Sequence, residues 1–181
     1  MSADTARPTA TAETLAFIAL GSNLGDSPRL LREAAERLAA LSSLPLLRSS
    51  LWRTAPVDCP PGAADFLNAV IGLCPLPSET PGSLVAKLHV LEQAFGRRPK
   101  KVLNESRPLD LDLITFGAAV ETSAALTLPH PRAAGRRFVL APMAEIAPDL
   151  VLPGQRESVR ELLAMLPPTV CVRLTTPGQT W

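Results

Sequence analysis

Three observations place this chain of 181 residues in the α+β class. A short apolar run ending at a glycine, Leu15 to Gly21, has the length and composition of a buried strand. Two stretches carry apolar residues at the spacing of a one-sided helix. Strand-like segments lie between and after them, so helices and strands are interleaved rather than grouped.

The elements follow in order. Residues 15–20 (LAFIAL) form the first strand, and the turn Gly21-Ser22-Asn23-Leu24-Gly25-Asp26 closes it. Ser27 can cap a helix with Pro28 in its first position. Leu31, Ala34, Ala35 and Leu38 give that helix a single core face. Residues 46–54 read as a second strand and 66–76 as a third. On the third, Leu67, Ala69, Ile71 and Leu73 share one face, and Phe66 and Asn68 share the other. Thr80 and Pro81 open a second helix, along which Leu84, Leu88, Leu91 and Phe95 align, with Gly96 placed to end it. After a basic, irregular stretch, Leu109 to Phe116 reads as a fourth strand. Ser158-Val159-Arg160-Glu161 is a capping box before a last helix. The order strand, helix, strand, strand, helix, strand is the split βαβ arrangement of ferredoxin-like folds, an antiparallel sheet covered by helices. The irregular stretches 55–65 and 96–108 are expected to be mobile loops over one end of that sheet.

Composition narrows the function classes. Residues 1–14 lack both a basic start and an apolar run and are expected to be a disordered tail. Residues 15–176 are expected to form one domain, with 177–181 a second tail. A hydrophobic content of 46% suffices for one core in that domain. A net charge of +1 argues against an extended nucleic-acid footprint, and the absence of a long apolar run argues against a membrane partner. Cys59, Cys74 and Cys171 are odd in number and scattered, which suits a reducing, cytoplasmic setting rather than a disulfide framework or a zinc site.

The sharpest local feature is Leu109-Asp110-Leu111-Asp112-Leu113. On a strand Asp110 and Asp112 point to one face, roughly 6–7 Å apart, while the leucines point into the core. Two neighbouring carboxylates repel, and a cation between them relieves the repulsion. Magnesium accepts one or two carboxylates, completing its shell with phosphates and water. Arg97, Arg98, Lys100, Lys101 and Arg107 precede the pair, and Arg132, Arg136 and Arg137 follow it. A guanidinium fork suits phosphate oxygens, so the pattern points to a magnesium–triphosphate substrate. Asn68 could read a heterocycle edge, and Phe66 and Phe138 could clamp a flat ring, although two core phenylalanines are the commoner case. The turn GSNLG fits no phosphate-loop signature.

These pieces, taken together, resemble the hydroxymethyl-dihydropterin pyrophosphokinase family of folate synthesis. The segments that carry the resemblance are FIALGSNLGD at 17–26, LWRTAPV at 51–57, DFLNAVIGL at 65–73 and EQAFGR at 92–97. SRPLDLDLITFG at 106–117 and LTLPHPRAAGRRFVLAPMAEIAPDL at 126–150, with VLPG after it, complete the set. The resemblance implies that Asp110 and Asp112 hold two magnesium ions. It implies that the pterin lies between Phe66 and Phe138, its edge read by Asn68 and the backbone of Thr54, Ala55 and Val57. Arg97 and Arg107 would belong to a loop that closes over ATP, the co-substrate. His130 and Arg136 would contact its phosphates, and Leu113 and Thr127 would line the adenine and ribose side. His89, Pro99, Asn104 and Pro131 depart from residues common in the family, mostly on the ATP side.

The implied reaction is attack by the pterin's hydroxymethyl oxygen on the β-phosphorus of ATP, with AMP released, by a monomer or weak dimer. Two rivals stand beside it: a nucleotidyltransferase with an Asp-x-Asp metal site, and a ferredoxin-like nucleic-acid-binding module. The first would release pyrophosphate instead of AMP. The second needs exposed aromatics on central strands and a strong salt dependence of binding.

Overall fold

The structure is a computed structural model, and it describes residues 14–56, 62–97, 105–174 and 181. The chain runs through β1 (Ala16–Ser22), α1 (Ser27–Ala39), β2 (Leu47–Arg48), β3 (Trp52–Thr54), β4 (Phe66–Leu73), α2 (Pro81–Ala94) and β5 (Asp110–Phe116). It continues through β6 (Glu121–Thr122), β7 (Thr127–Leu128), a 3-10 turn (Ala133–Gly135), α3 (Arg137–Ile146), α4 (Val159–Met165) and β8 (Cys171–Arg173). The main sheet has the order β5-β1-β4-β3-β8, with β2 also on β4, and β6 and β7 pair apart from it. All of these pairings are antiparallel. The six members of the expected order, with β3 as second strand, β4 as third and β5 as fourth, give the α+β arrangement anticipated from sequence.

Period-two alternation divides the sheet between two cores. Ile18, Leu20, Leu67, Ala69, Ile71, Leu73, Leu111 and Leu113 pack under α1 and α2, against Leu31, Ala34, Ala35, Leu38, Leu84 and Leu88. Phe17, Val70 and Ile114 pack on the other side, against Val139, Leu140 and Met143 of α3 and Val159 and Leu162 of α4. The sheet is therefore the middle of three layers. Helices α3 and α4 cover only part of the second face. The end that carries Gly21, Phe66, Asn68 and Asp110 lies beyond them.

Several boundaries differ from the sequence expectation, each for a local reason. The cap of α1 is Asp26, whose side chain accepts from Arg29 N, so Ser27 is the first helical residue; its hydroxyl accepts from the Ser22 hydroxyl at 2.8 Å. The strand expected over 46–54 is broken. Arg48 pairs with Ile71 and Trp52 with Asn68, so residues 49–51 face only 69–70, a bulge of one extra residue. Ser49 Oγ accepts from Val70 N at 2.9 Å and the Ser50 amide donates to Glu145 of α3 at 2.6 Å, while the Ser50 hydroxyl is buried without a hydrogen-bond partner among the described residues. Helix α2 keeps Thr80 as its cap, with a reciprocal Thr80–Ser83 capping box, and Gly96 adopts φ +87 beyond its end. Trp181, assigned by sequence to a tail, is 4% exposed in the α1/α2 core, and its indole N–H donates to Ser49 O at 2.6 Å.

Candidate active site

One row of paired residues organises the site. Gly21 on β1 pairs with Asp110 of β5 on one side and Asn68 of β4 on the other, and Asn68 pairs with Trp52 of β3. These residues share a face because paired residues in a sheet point the same way. Gly21 is the floor between them. A Cβ there would stand 3.2 Å from Asn68 Oδ1, 3.8 Å from Asp110 Cβ and 3.8 Å from Phe66 Cδ1.

Asp110 and Asp112 lie on one face of β5, while Leu111 and Leu113 are buried in the core on the other, as the two-residue period requires. Asp110 Oδ1 is held by Arg97 Nη1 at 2.9 Å and Arg107 Nη1 at 3.0 Å. Asp112 is more open, its side chain 40% exposed against 24% for Asp110, and Arg136 Nη1 stands 3.9 Å from it. The expected arginines 97, 107 and 136 thus gather around the carboxylate pair. Arg137 does not join them: its guanidinium donates to the carbonyls of Leu163, Leu166 and Pro167, closing the end of α4.

His130 follows β7, with its backbone N–H on Ile114 O at 2.8 Å. Burial holds its imidazole below the ordinary value; Asp112 opposes this, and Arg136 and Arg132 add to it. The ring is therefore neutral at neutral pH, able to donate from one nitrogen. Its Nδ1 accepts from Arg132 N at 3.2 Å, which leaves the proton on Nε2.

The expected pterin residues divide by role. Asn68 Nδ2 donates to Thr54 Oγ1 at 2.7 Å, and both side chains are buried. That bond orients the Asn68 amide, leaving its Oδ1 towards Gly21. The Ala55 amide donates to Val170 O at 3.4 Å. Phe66 and Phe138 are half-buried rather than fully interior, and the Arg136 guanidinium lies 5.3 Å from the Phe138 ring centroid. Thr127 is exposed on β7, whereas the side chain of Leu113 is buried under the helices, so only its main chain on β5 can face a nucleotide. Val57, Cys59, Arg98, Pro99, Lys100, Lys101 and Asn104 lie outside the described residues.

Two residues escaped the sequence reading. Glu92 of α2 is 2% exposed, pairs with Arg97 Nη1, and accepts from Leu111 N at 2.8 Å. Burial pushes its carboxyl up to about 7, against the pull of the Leu111 amide and Arg97. The signal was available: Glu92 follows Leu84 and Leu88 at four-residue steps, so it continues the buried stripe of the helix. The second is Asn23, in the turn after β1, which bonds to Ala64 and Arg107, one residue in each irregular stretch.

A family model described as 7,8-dihydro-6-hydroxymethylpterin-pyrophosphokinase matches residues 17–148. The chain belongs to this family. Among similar proteins, a 2-amino-4-hydroxy-6-hydroxymethyldihydropteridine pyrophosphokinase of Methylorubrum extorquens is 39% identical over 160 residues, covering 86% of this chain and 96% of that protein. One of Synechocystis sp. is 36% identical over 148 residues, covering 82% of this chain and 74% of the relative. The fold is shared with a crystal structure of an HPPK-DHPS in complex with substrates, at a TM-score of 0.65 and 11% identity. That match covers 83% of this chain and 42% of the longer one.

The donor set suits the magnesium expected from the sequence in a specific way. Among the described residues no group of three or more His, Cys, Asp or Glu gathers to cage an ion. Two carboxylates beside three arginines suit magnesium that arrives with phosphates and keeps part of its water, rather than a resident structural ion. Asp110 and Asp112 are the residues that would hold it.

Proposed function

We propose that this chain transfers the pyrophosphoryl group of ATP to the hydroxymethyl group of 6-hydroxymethyl-7,8-dihydropterin, giving the pterin diphosphate and AMP for folate synthesis. The observation that carries this reading is the row Asp110–Gly21–Asn68. It sets a carboxylate ringed by arginines two strands away from an amide oriented to read a heterocycle.

The hydroxymethyl oxygen attacks the β-phosphorus and gives up its proton to water, the bond from that phosphorus to the α,β-bridging oxygen breaks, and AMP departs with that oxygen. Asp110 and Asp112, together with the phosphates, would hold two magnesium ions, which would supply Lewis-acid neutralisation of the charge that builds there. The protein's own residues position and neutralise. Asn68, oriented by Thr54, reads the pterin edge, together with the backbone of Thr54, Ala55 and Val57, while Phe66 and Phe138 hold the ring. Arg97 and Arg107 start on Asp110 and are placed to reach phosphate oxygens, where charge develops in the transition state. Arg136 and the neutral His130 contact the triphosphate in the ground state as well. Leu113, through its main chain, and Thr127 face the nucleoside.

The same reading takes residues 15–176 as one catalytic domain, into whose core Trp181 also packs, working in the cytoplasm as a monomer or weak dimer without a nucleic-acid or membrane partner. No described helix is long and apolar enough to cross a membrane. Product analysis with ATP, magnesium and the pterin alcohol tests the proposal. AMP and pterin diphosphate in equal amounts are expected. Release of pyrophosphate would instead establish a nucleotidyltransferase.

A further inference from the structure

Asn23 has no role in the chemistry above, yet it is 8% exposed and fully engaged. Its Nδ2 donates to the Ala64 carbonyl at 3.3 Å and to the Ser106 hydroxyl at 3.1 Å. Its Oδ1 accepts from Arg107 N at 2.9 Å, and its own N–H donates to Arg107 O at 3.2 Å. The amide cannot be turned over. Ala64 presents a carbonyl that only accepts, and Arg107 presents an N–H that only donates, so the amide has one possible orientation.

What the amide joins matters more than the bonds themselves. Ala64 lies two residues before Phe66, the pterin wall, and is 41 residues from Asn23 in sequence. Arg107 is 84 residues away, and its guanidinium holds Asp110 at 3.0 Å on the nucleotide side. One buried side chain therefore links the two halves of the site by a route separate from the Asp110–Gly21–Asn68 row. A ligand that settles the segment leading into Phe66 settles Arg107 through the same amide, and the reverse holds equally.

We propose that Asn23 is a positioning residue that couples pterin binding to nucleotide binding, a role that rests on the substrates proposed above. The first ligand fixes the position of both segments through the Asn23 amide, so the second meets its side of the site already placed and binds more tightly, and the coupling is equal in both directions.

Calorimetry tests this with the pterin alcohol in the presence and absence of magnesium and a non-hydrolysable ATP analogue. In the wild type the analogue should tighten pterin binding about tenfold or more, within the usual range of site–site coupling. In Asn23→Ala that ratio should fall towards one. Asn23→Asp keeps the acceptor for Arg107 N but sets an oxygen against Ala64 O, and should lose the coupling too. Ser106→Ala removes one partner at an exposed position, leaves the turn's interior intact, and should lower the ratio in part. A ratio unchanged from wild type in all three variants, or a wild-type ratio of one, overturns the role of Asn23. A wild type that binds neither ligand overturns the proposed substrates instead.

Discussion

Asp110 and Asp112 are alike in sequence but not in their surroundings. Asp110 already answers two guanidinium groups, so Asp110→Asn leaves Arg97 and Arg107 short of a counter-charge and costs stability on the order of 1 kcal/mol. Asp112 is more exposed and only loosely met by Arg136. Asp112→Asn should keep the wild-type denaturation midpoint and still lose turnover at least about a hundredfold, as removal of one charge-stabilising group does. Near-normal turnover at saturating magnesium would refute the metal role. Gly21→Ala is a second probe. The new methyl meets Asn68 Oδ1 at 3.2 Å, so pterin affinity should fall several-fold while ATP affinity holds, as equilibrium binding would report. Glu92→Gln separates stability from activity. Because burial raises its folded pKa from 4.5 to about 7, the unfolded chain loses the proton first as pH rises. The wild type therefore loses stability across that window, and the Gln variant should not. Urea midpoints at both ends of the window should show the variant gaining relative to wild type at the higher pH, while its kcat falls because Arg97 loses its anchor. At this scale the Asp pair was readable from a two-residue period. Glu92 was not singled out because one acid on an otherwise apolar helix face draws attention to the leucines around it.

The elements differ in how plainly they announce themselves. Helices α1 and α2 and strand β4 have apolar periods long enough to read, with proline, threonine and glycine marking the helix ends. Helix α3 was missed because Pro142 lies inside it and breaks the run of backbone donors that helical propensity presumes. Strands β6, β7 and β8 have two or three residues each, too few for alternation to show. The break between β2 and β3 depends on Glu145, 95 residues from the Ser50 amide it accepts, which no local pattern reveals. Element context also separates the arginines. Arg107 sits in irregular backbone before β5, while Arg136 is the residue that caps α3. Arg107→Ala should lower kcat on the order of a hundredfold with a modest change in ATP dissociation. Arg136→Ala should show most of its cost in ATP binding. Single-turnover kinetics beside equilibrium binding would distinguish the two, and weak ATP binding with a normal saturated rate in Arg107→Ala would reverse the assignment.

Among the described residues, two cores lie on opposite faces of one sheet, and the candidate site gathers at the end that carries Gly21, Asn68 and Asp110. The α1/α2 core reaches as far as Trp181, whose ring is buried and whose N–H satisfies the bulge carbonyl of Ser49. Trp181→Ala should therefore cost about 3–5 kcal/mol, the range for emptying a buried aromatic position, measured by urea denaturation. Trp181→Phe, which keeps most of the volume but drops the hydrogen bond, should recover the larger part. A tryptophan at the chain end reads as a tail from sequence, since nothing nearby in the chain shows the cavity between helices and bulge that receives it.

The row Asp110–Gly21–Asn68 also limits what this site can become. Neighbouring strands are held about 4.8 Å apart by backbone hydrogen bonds, so the Cα atoms of Asn68, the proposed heterocycle reader, and Asp110, the proposed phosphate-side carboxylate, are about 10 Å apart whatever side chains surround them. Substitutions at Phe66, Thr54 or Asn68 can change which ring is held. They cannot change how far the reacting hydroxyl must lie from that ring. An acceptor of another length would need β4 or β5 to slip, and a slip of one residue turns every side chain on the strand to the opposite face and empties both cores. Ring identity is open to stepwise evolution here, while substrate length is protected from it by the sheet.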